Sequence, residues 1–255
     1  MLTGTQTADI TCDSAMEIIA EPLYQRLRQD IVECELTPGK SFSEAELGRL
    51  YKAGRTPVRE ACRRLEGEGL VRITPFRGYA ISPLSVTEFH DLQEMQLIFE
   101  PSAAALAAER ANQRELDEMR DLATYEYRVG DKQSYREFLR TNLQLHCLIA
   151  ESTRNRRLFD VVGNIHIRLM RFFYLGLSFE PSGPKLVAEH ISLVDAIRCR
   201  DTEAARRNAT EHINRAIERS ASVLMGAIRF GEAVFDTTPD HDHSALKLSS
   251  GVRRN

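Results

Sequence analysis

The chain has 255 residues, 42% hydrophobic and 28% charged, with a formal net charge of −3 at pH 7. That balance supports packed cores in more than one domain and excludes a disordered or low-complexity chain. No run approaches the roughly 18 apolar residues of a membrane span. The five cysteines (Cys12, Cys34, Cys62, Cys147, Cys199) are scattered, with no Cys-x-x-Cys pair, which argues against thiolate metal sites and structural disulfides. A cytoplasmic protein with no leader and no membrane partner is expected.

Residues 1–16 are polar and are expected to be mobile. After Glu21-Pro22, the spacing of Leu23, Leu27, Ile31 and Val32 predicts an amphipathic helix ending near Glu35. Thr37-Pro38-Gly39 is a turn. Ser43 with Glu46 makes a capping box for a second helix whose apolar side is Leu47, Leu50 and Tyr51. Ala53-Gly54 then turns tightly into a third helix. There, Val58, Ala61, Cys62 and Leu65 share one face, while Arg55, Arg59 and Arg63 recur every four residues on another. Pro57 suits a first turn, where a missing N–H costs no intrahelical bond.

Leu70-Val71-Arg72-Ile73 and Tyr79-Ala80-Ile81-Ser82 read as short strands joined by Pro75, Phe76, Arg77 and Gly78, a turn with a basic tip. Three helices and a hairpin over residues 17–82 have the order of a winged helix-turn-helix. Arginines at this spacing also occur on ordinary solvated helix faces. Charge favours the DNA reading: from Arg49 to Tyr79 eight Arg or Lys face three Glu, a net of +5 that leaves −8 for the rest. Localised positive charge on an acidic chain suits docking on phosphates through one end.

Residues 83–232 are helical in periodicity throughout, with six or seven helices and breaks near Asn112, Gly130, Arg154, Ser182 to Pro184, and Asp201. A long apolar stripe including Met95, Ile98, Phe99, Ala103 and Ala107 is expected to kink at Pro101. Residues 233–255 are expected to be a mobile tail. The predicted fold class is mainly α: an N-terminal winged helix-turn-helix plus a C-terminal all-α bundle. Asn142 and His146 lie four apart on one helix, with His190 and His212 on two later ones. Spacing alone does not bring them together, and single histidines in bundles are usually core or surface residues. If they converge, three imidazoles and an amide suit Zn or Ni.

Two resemblances sharpen these readings. Leu36-Thr37-Pro38-Gly39, Ser43-Glu44, Leu47, Arg55-Thr56-Pro57-Val58-Arg59-Glu60-Ala61, Leu65, Glu68-Gly69-Leu70-Val71 and Gly78 together resemble the DNA-binding domain of the bacterial GntR family. The resemblance implies base contacts by Arg55 and Arg59, phosphate contact by Thr56, and a wing that approaches the minor groove at Gly78. Arg49, Arg63 and Arg77 would complete the DNA-binding surface. Gly54 and Ala45 depart from the family pattern, which usually has a hydroxyl residue and an arginine there.

Phe138, Asn142, His146, Ser152 and Asn155, then Glu189-His190, Asp195-Ala196-Ile197, Asp201, Ala204-Ala205 and His212, resemble the FCD ligand-binding domain of the FadR subfamily. That implies a divalent metal on Asn142, His146, His190 and His212, and a small carboxylate effector completing its coordination. Arg168 matches a position that assists the carboxylate. Gln96 replaces another common arginine, which points to an effector with fewer negative groups or one held by amide hydrogen bonds. His90, His166, His241 and His243 fall outside the pattern and are read as surface residues. Phe172, Phe173 and Tyr174 are candidate pocket walls or simply core.

The function expected is a homodimeric transcriptional repressor on a pseudo-palindromic operator in double-stranded DNA, controlled by a small carboxylate at a metal-containing site. The alternatives are a regulator whose signal is the metal itself, and a metal-dependent hydrolase with a DNA-binding arm.

Overall fold

The computed structural model describes residues 12–74, 78–177, 183–229 and 235–236. Pro75, Phe76, Arg77, His241 and His243 lie outside the described residues, as do residues 1–11 and nearly all of the expected tail.

The first lobe builds the expected unit. Helix α1 (Cys12–Val32) starts inside the segment expected to be mobile and runs through Pro22. Its Leu23, Leu27 and Ile31 are buried against Val58, Ala61 and Leu65 of α3 (Arg55–Gly67). Between them lie β1 (Ser41–Phe42) and α2 (Glu44–Tyr51). The capping box forms: Glu46 N–H donates to Ser43 Oγ at 3.2 Å, and Ser43 N–H to Glu46 Oε2 at 2.7 Å. Lys52 closes α2 in the left-handed region at φ 53°. Gly54 caps α3 with no side-chain bond, the consequence of losing a hydroxyl there.

The wing is β2 (Val71–Thr74) and β3 (Gly78–Ile81), paired antiparallel with Val71 opposite Ile81 and Thr74 opposite Gly78. Strand β1 adds to the outer side of β3, with Ser41 opposite Ala80, so the sheet order is β1-β3-β2. Gly78 has φ +95°, and a Cβ there would overlap the Phe42 carbonyl oxygen. Its missing side chain therefore lets β1 close against β3.

The second lobe follows β4 (Leu84–Ser85), which pairs parallel with β5 (Phe235–Asp236) inside the expected tail. Six helices are described: α4 (Val86–Arg110), α5 (Gln113–Ala123), α6 (Lys132–Ser152), α7 (Arg156–Leu177), α8 (Gly183–Arg198) and α9 (Thr202–Arg229). The breaks fall where the sequence placed them. Asn112 caps α5 with Glu115 in a second capping box, and Gly130 and Arg154 take positive φ between helices. Helix α4 is continuous through Pro101. Its alanines 103, 104, 107 and 108 are buried and let α8 and α9 pack closely.

Helix α7 carries the contacts between the lobes. Ile167 packs on the core of the winged lobe. Arg171 is buried and donates to the Ser82 carbonyl at 2.6 Å. Arg168 pairs with Glu88, and it lies so near Gly69 that a Cβ there would come within 3.0 Å of its Nε. From α6, Arg136 reaches Glu33 through Nη2 at 2.6 Å.

Gly78→Ala is expected to cost about 1–3 kcal/mol through positive-φ strain, with the overlap on Phe42 adding to it. A lower urea midpoint with unchanged helical circular dichroism is the expected reading; an unchanged midpoint would show that the sheet does not need the glycine.

Candidate functional site

Two regions carry chemistry. The first is the open face of α3. Arg55, Thr56, Arg59 and Arg63 are all exposed on it, and Arg49 is exposed on the last turn of α2. Arg64, by contrast, turns to the α1 side, 2.5 Å from Glu21 and over the Tyr24 ring at 3.7 Å. Arg59 is held rather than loose. Its Nε and Nη2 donate to Glu44 at 3.2–3.3 Å, and Tyr79 Oη donates to the same carboxylate at 3.3 Å. The bond to Glu44 raises the guanidinium pKa further, so the charge is secure. One acid thus joins α2, α3 and the wing and aims the central arginine of the face. The sequence reading placed Glu44 in the family motif but gave it no role, although it opens the capped helix.

The second region is the centre of the helical lobe, where five helices deliver polar side chains. His146 from α6, His190 from α8 and His212 from α9 are buried, and each offers a ring nitrogen within 4.8 Å of the others. Two carboxylates orient them. Glu100 of α4 bonds His146 Nδ1 at 2.7 Å, and Glu189 of α8 bonds His212 Nδ1 at 3.0 Å. A ring proton fixed on Nδ1 leaves the Nε2 lone pair to face the centre. The Nε2 atoms of His146 and His190 are both buried with no protein partner.

Burial, with His166 adding to it, pushes His146 down to about 4, and burial with His212 holds His190 well below its usual value. Both are therefore neutral at pH 7, the form that binds a cation. Burial alone would raise the two acids, but their partners outweigh it. His166 and His146 hold Glu100 well below the carboxylate range, and His212 with Arg219 takes Glu189 down to about 2.

His146 and His212 of this cluster border a cavity of about 660 Å³ of empty space, its open mouth included. Gln96, Asn142, His146, His166, His212 and Arg219 are on its polar side, and Tyr127, Phe138, Leu139, Phe173, Leu186 and Ile213 on its apolar wall. Of the four sequence-predicted ligands, His146, His190 and His212 cluster, and Asn142 lines the cavity that His146 and His212 border. The residues present fit a divalent borderline metal, since His146 and His212 have rings oriented by carboxylates, and the Nε2 atoms of His146 and His190 are buried without a protein partner.

Several expectations need correction. Arg168 is not at the cavity; its guanidinium is taken by Glu88 and wedged beside Gly69, 13 residues along a helix from Asn155 but on its lobe-facing side. Arg219 lines the cavity instead, bonded to Glu189 at 2.9 and 3.0 Å. The signal was present in the sequence: Arg219 is two turns after His212 on one helix face. His166 is not a surface residue. It is buried, stacks on His146 at 4.1 Å and bonds Glu100 at 2.9 Å. His90 is exposed, as read. Gln96 lines the cavity, but its amide donates to Glu100 at 2.7 Å. Of the aromatic trio, Phe173 reaches the cavity while Phe172 and Tyr174 are core.

Arg59→Ala is expected to weaken binding to duplex DNA selected by the wild-type protein by about 1–3 kcal/mol, the worth of a bidentate base contact. Fluorescence anisotropy reads the loss, and an unchanged melting temperature assigns it to the DNA face rather than to folding.

The comparisons agree with this two-lobe arrangement. Residues 19–81 match "Bacterial regulatory proteins, gntR family", and residues 91–215 match the FCD domain. The chain is 24% identical over 200 residues to the HTH-type transcriptional repressor RspR of Escherichia coli, covering 78% of this chain and 88% of that one. It is 31% identical over 193 residues to an HTH-type transcriptional regulator in an unstable DNA locus of Streptomyces ambofaciens, covering 75% and 80%. The fold is similar to that of E. coli McbR/YncC, with a TM-score of 0.65 at 18% identity over 82% of this chain and 98% of that chain. These relatives are regulators of transcription, so the hydrolase alternative falls away. No described helix is long and apolar enough to cross a membrane. The chain belongs to the GntR family of bacterial transcriptional regulators, with an FCD domain as its helical lobe.

Proposed function

We propose that this regulator is a homodimeric repressor whose affinity for a pseudo-palindromic operator is set by a small carboxylate bound together with a divalent metal, Zn or Ni. The observation that carries the effector site is the pair of buried Nε2 atoms, on His146 and His190, that have no protein partner and belong to a cluster with His212 that borders the cavity through His146 and His212. A buried ring nitrogen left without a bond costs free energy, and a cation would satisfy both. His146, His190 and His212 would hold the ion, with Asn142 at the same cavity. The metal supplies a Lewis-acid anchor for an anion.

The residues around it have separate tasks. Glu100 and Glu189 hold the imidazoles in the ligating tautomer. The apolar wall excludes water, which strengthens every charge interaction inside. Helix α7 couples the cavity to DNA: His166 and Phe173 line the site, while Ile167, Arg168 and Arg171 bear on the winged lobe. A ligand that moves α7 therefore repositions the arginine face, and two such faces in a dimer must match two half-sites. The repressing sign is supported by the names of RspR and of NanR from Cronobacter sakazakii, the latter 28% identical over 224 residues. The metal-as-signal reading differs in one respect: metal alone would release DNA.

A small carboxylic acid that binds at a hundredfold excess over its Kd is expected to raise Tm by roughly 5–10 °C, from the linkage energy and the size of the chain. Chelation should remove the effect. Stabilisation that survives chelation would sink the metal-tethered site. Glu100→Gln, which keeps shape but loses charge, is expected to weaken zinc about 10–100-fold in competition with a chromogenic chelator.

A further inference from the structure

We propose that the cleft between α1 and the α6–α7 pair is a second ligand site, separate from the histidine cluster, and that it takes an aromatic oxyanion: an aryl ring bearing a carboxylate, sulfonate or phosphate head. A ligand there touches the winged lobe and the helical lobe at once, and its binding needs no metal.

Unfilled guanidinium donors carry the argument. The cleft holds about 870 Å³ of empty space, its open mouth included, more than the cavity beside the histidines. Arg28 enters it from α1 and Arg140 from α6. The Arg28 side chain is only 16% exposed. Its Nε donates to Glu68 at 3.1 Å, but among the described residues its Nη2 meets only the Met170 thioether, at 3.7 Å. A thioether is a weak acceptor, so a largely buried charge is left short of hydrogen bonds. Arg140 is exposed and makes no hydrogen bond among the described residues. The acids of the cleft do not fill these donors. Glu33 is taken by Arg136, and Glu137 accepts from Tyr125 at 2.6 Å and from Gln133 at 2.9 Å. Arg140 acts on Glu137 only through space. An oxyanion presents the paired acceptors that these guanidinium forks lack.

The floor sets the rest of the ligand. Val32 of α1, Leu139 and Leu143 of α6, and Met170 and Tyr174 of α7 line the cleft and belong to one apolar cluster. An apolar body laid on them leaves water. Met170 with Arg28 beside it favours a ring over an alkyl chain, because thioethers make favourable contacts with aromatic rings and guanidiniums stack on them.

The test is isothermal calorimetry of naphthalene-2-sulfonate on the full chain, with the neutral naphthalene-2-sulfonamide, octane-1-sulfonate and methanesulfonate as comparisons. One site per chain is expected, unchanged by chelation and by His146→Ala, with the aryl sulfonate about tenfold or more tighter than each comparison. Arg140→Ala removes an exposed side chain that makes no hydrogen bond, so Tm should hold while affinity falls about fivefold or more. Leu143→Glu puts a like charge on the floor and should abolish binding. The sulfonamide binding as tightly overturns the oxyanion, and octane-1-sulfonate binding as tightly overturns the aromatic class. Binding lost on chelation or in His146→Ala moves the ligand to the histidine cavity and overturns the second site. Full affinity in Arg140→Ala or Leu143→Glu, or no binding at all, overturns it as well.

Discussion

The helical lobe is organised around a buried negative charge. Glu100 sits on the central helix α4, almost wholly removed from solvent, and a lone carboxylate there would be prohibitively expensive. Three donors from α4, α6 and α7 compensate it: Gln96, His146 and His166. Since Glu100 must be satisfied, the three helices are fixed in rotation as well as in position. The His146 ring is then locked with Nε2 inward, and the second carboxylate, Glu189, does the same for His212 across α8 and α9. The cavity is the space these constraints leave open.

The same logic explains how the lobes are joined. Helix α7 presents His166 to Glu100 and, from the next residues, Ile167, Arg168 and Arg171 to the winged lobe. A helix is stiff over this distance, so the contacts of His166 and those of its neighbours are held in a fixed relation. Arg171 is buried with its charge directed at a backbone carbonyl, and burial lowers its pKa. Such a contact tolerates little sliding, which suits an interface with discrete arrangements.

Much of the architecture was legible along the chain because its signals are local. Ser43 with Glu46 and Asn112 with Glu115 cap the helices they precede. Gly130 and Arg154 stand at turns that need left-handed backbone. The amphipathic pattern of α3 separated Val58, Ala61 and Leu65 from the arginines. Strand β1 was not legible, because a two-residue strand has no periodicity and exists only by pairing with β3. The histidine cluster was legible through a family resemblance rather than through spacing, which does not reveal convergence of three helices.

The sequence by itself determined which segments are helices, where they stop, and that one exposed face carries a row of guanidiniums, since each follows from contacts within a few residues. Only the tertiary structure decided which polar residues share the cavity. Arg168 and Arg219 are equally plausible partners for an anion on paper. Packing turned Arg168 to Glu88 at the lobe junction and Arg219 inward beside Glu189. His166 was likewise indistinguishable from a surface histidine until α4 brought Glu100 against it. Side-chain direction on a helix depends on what the neighbouring helices cover, and that is settled by long-range packing rather than by local sequence.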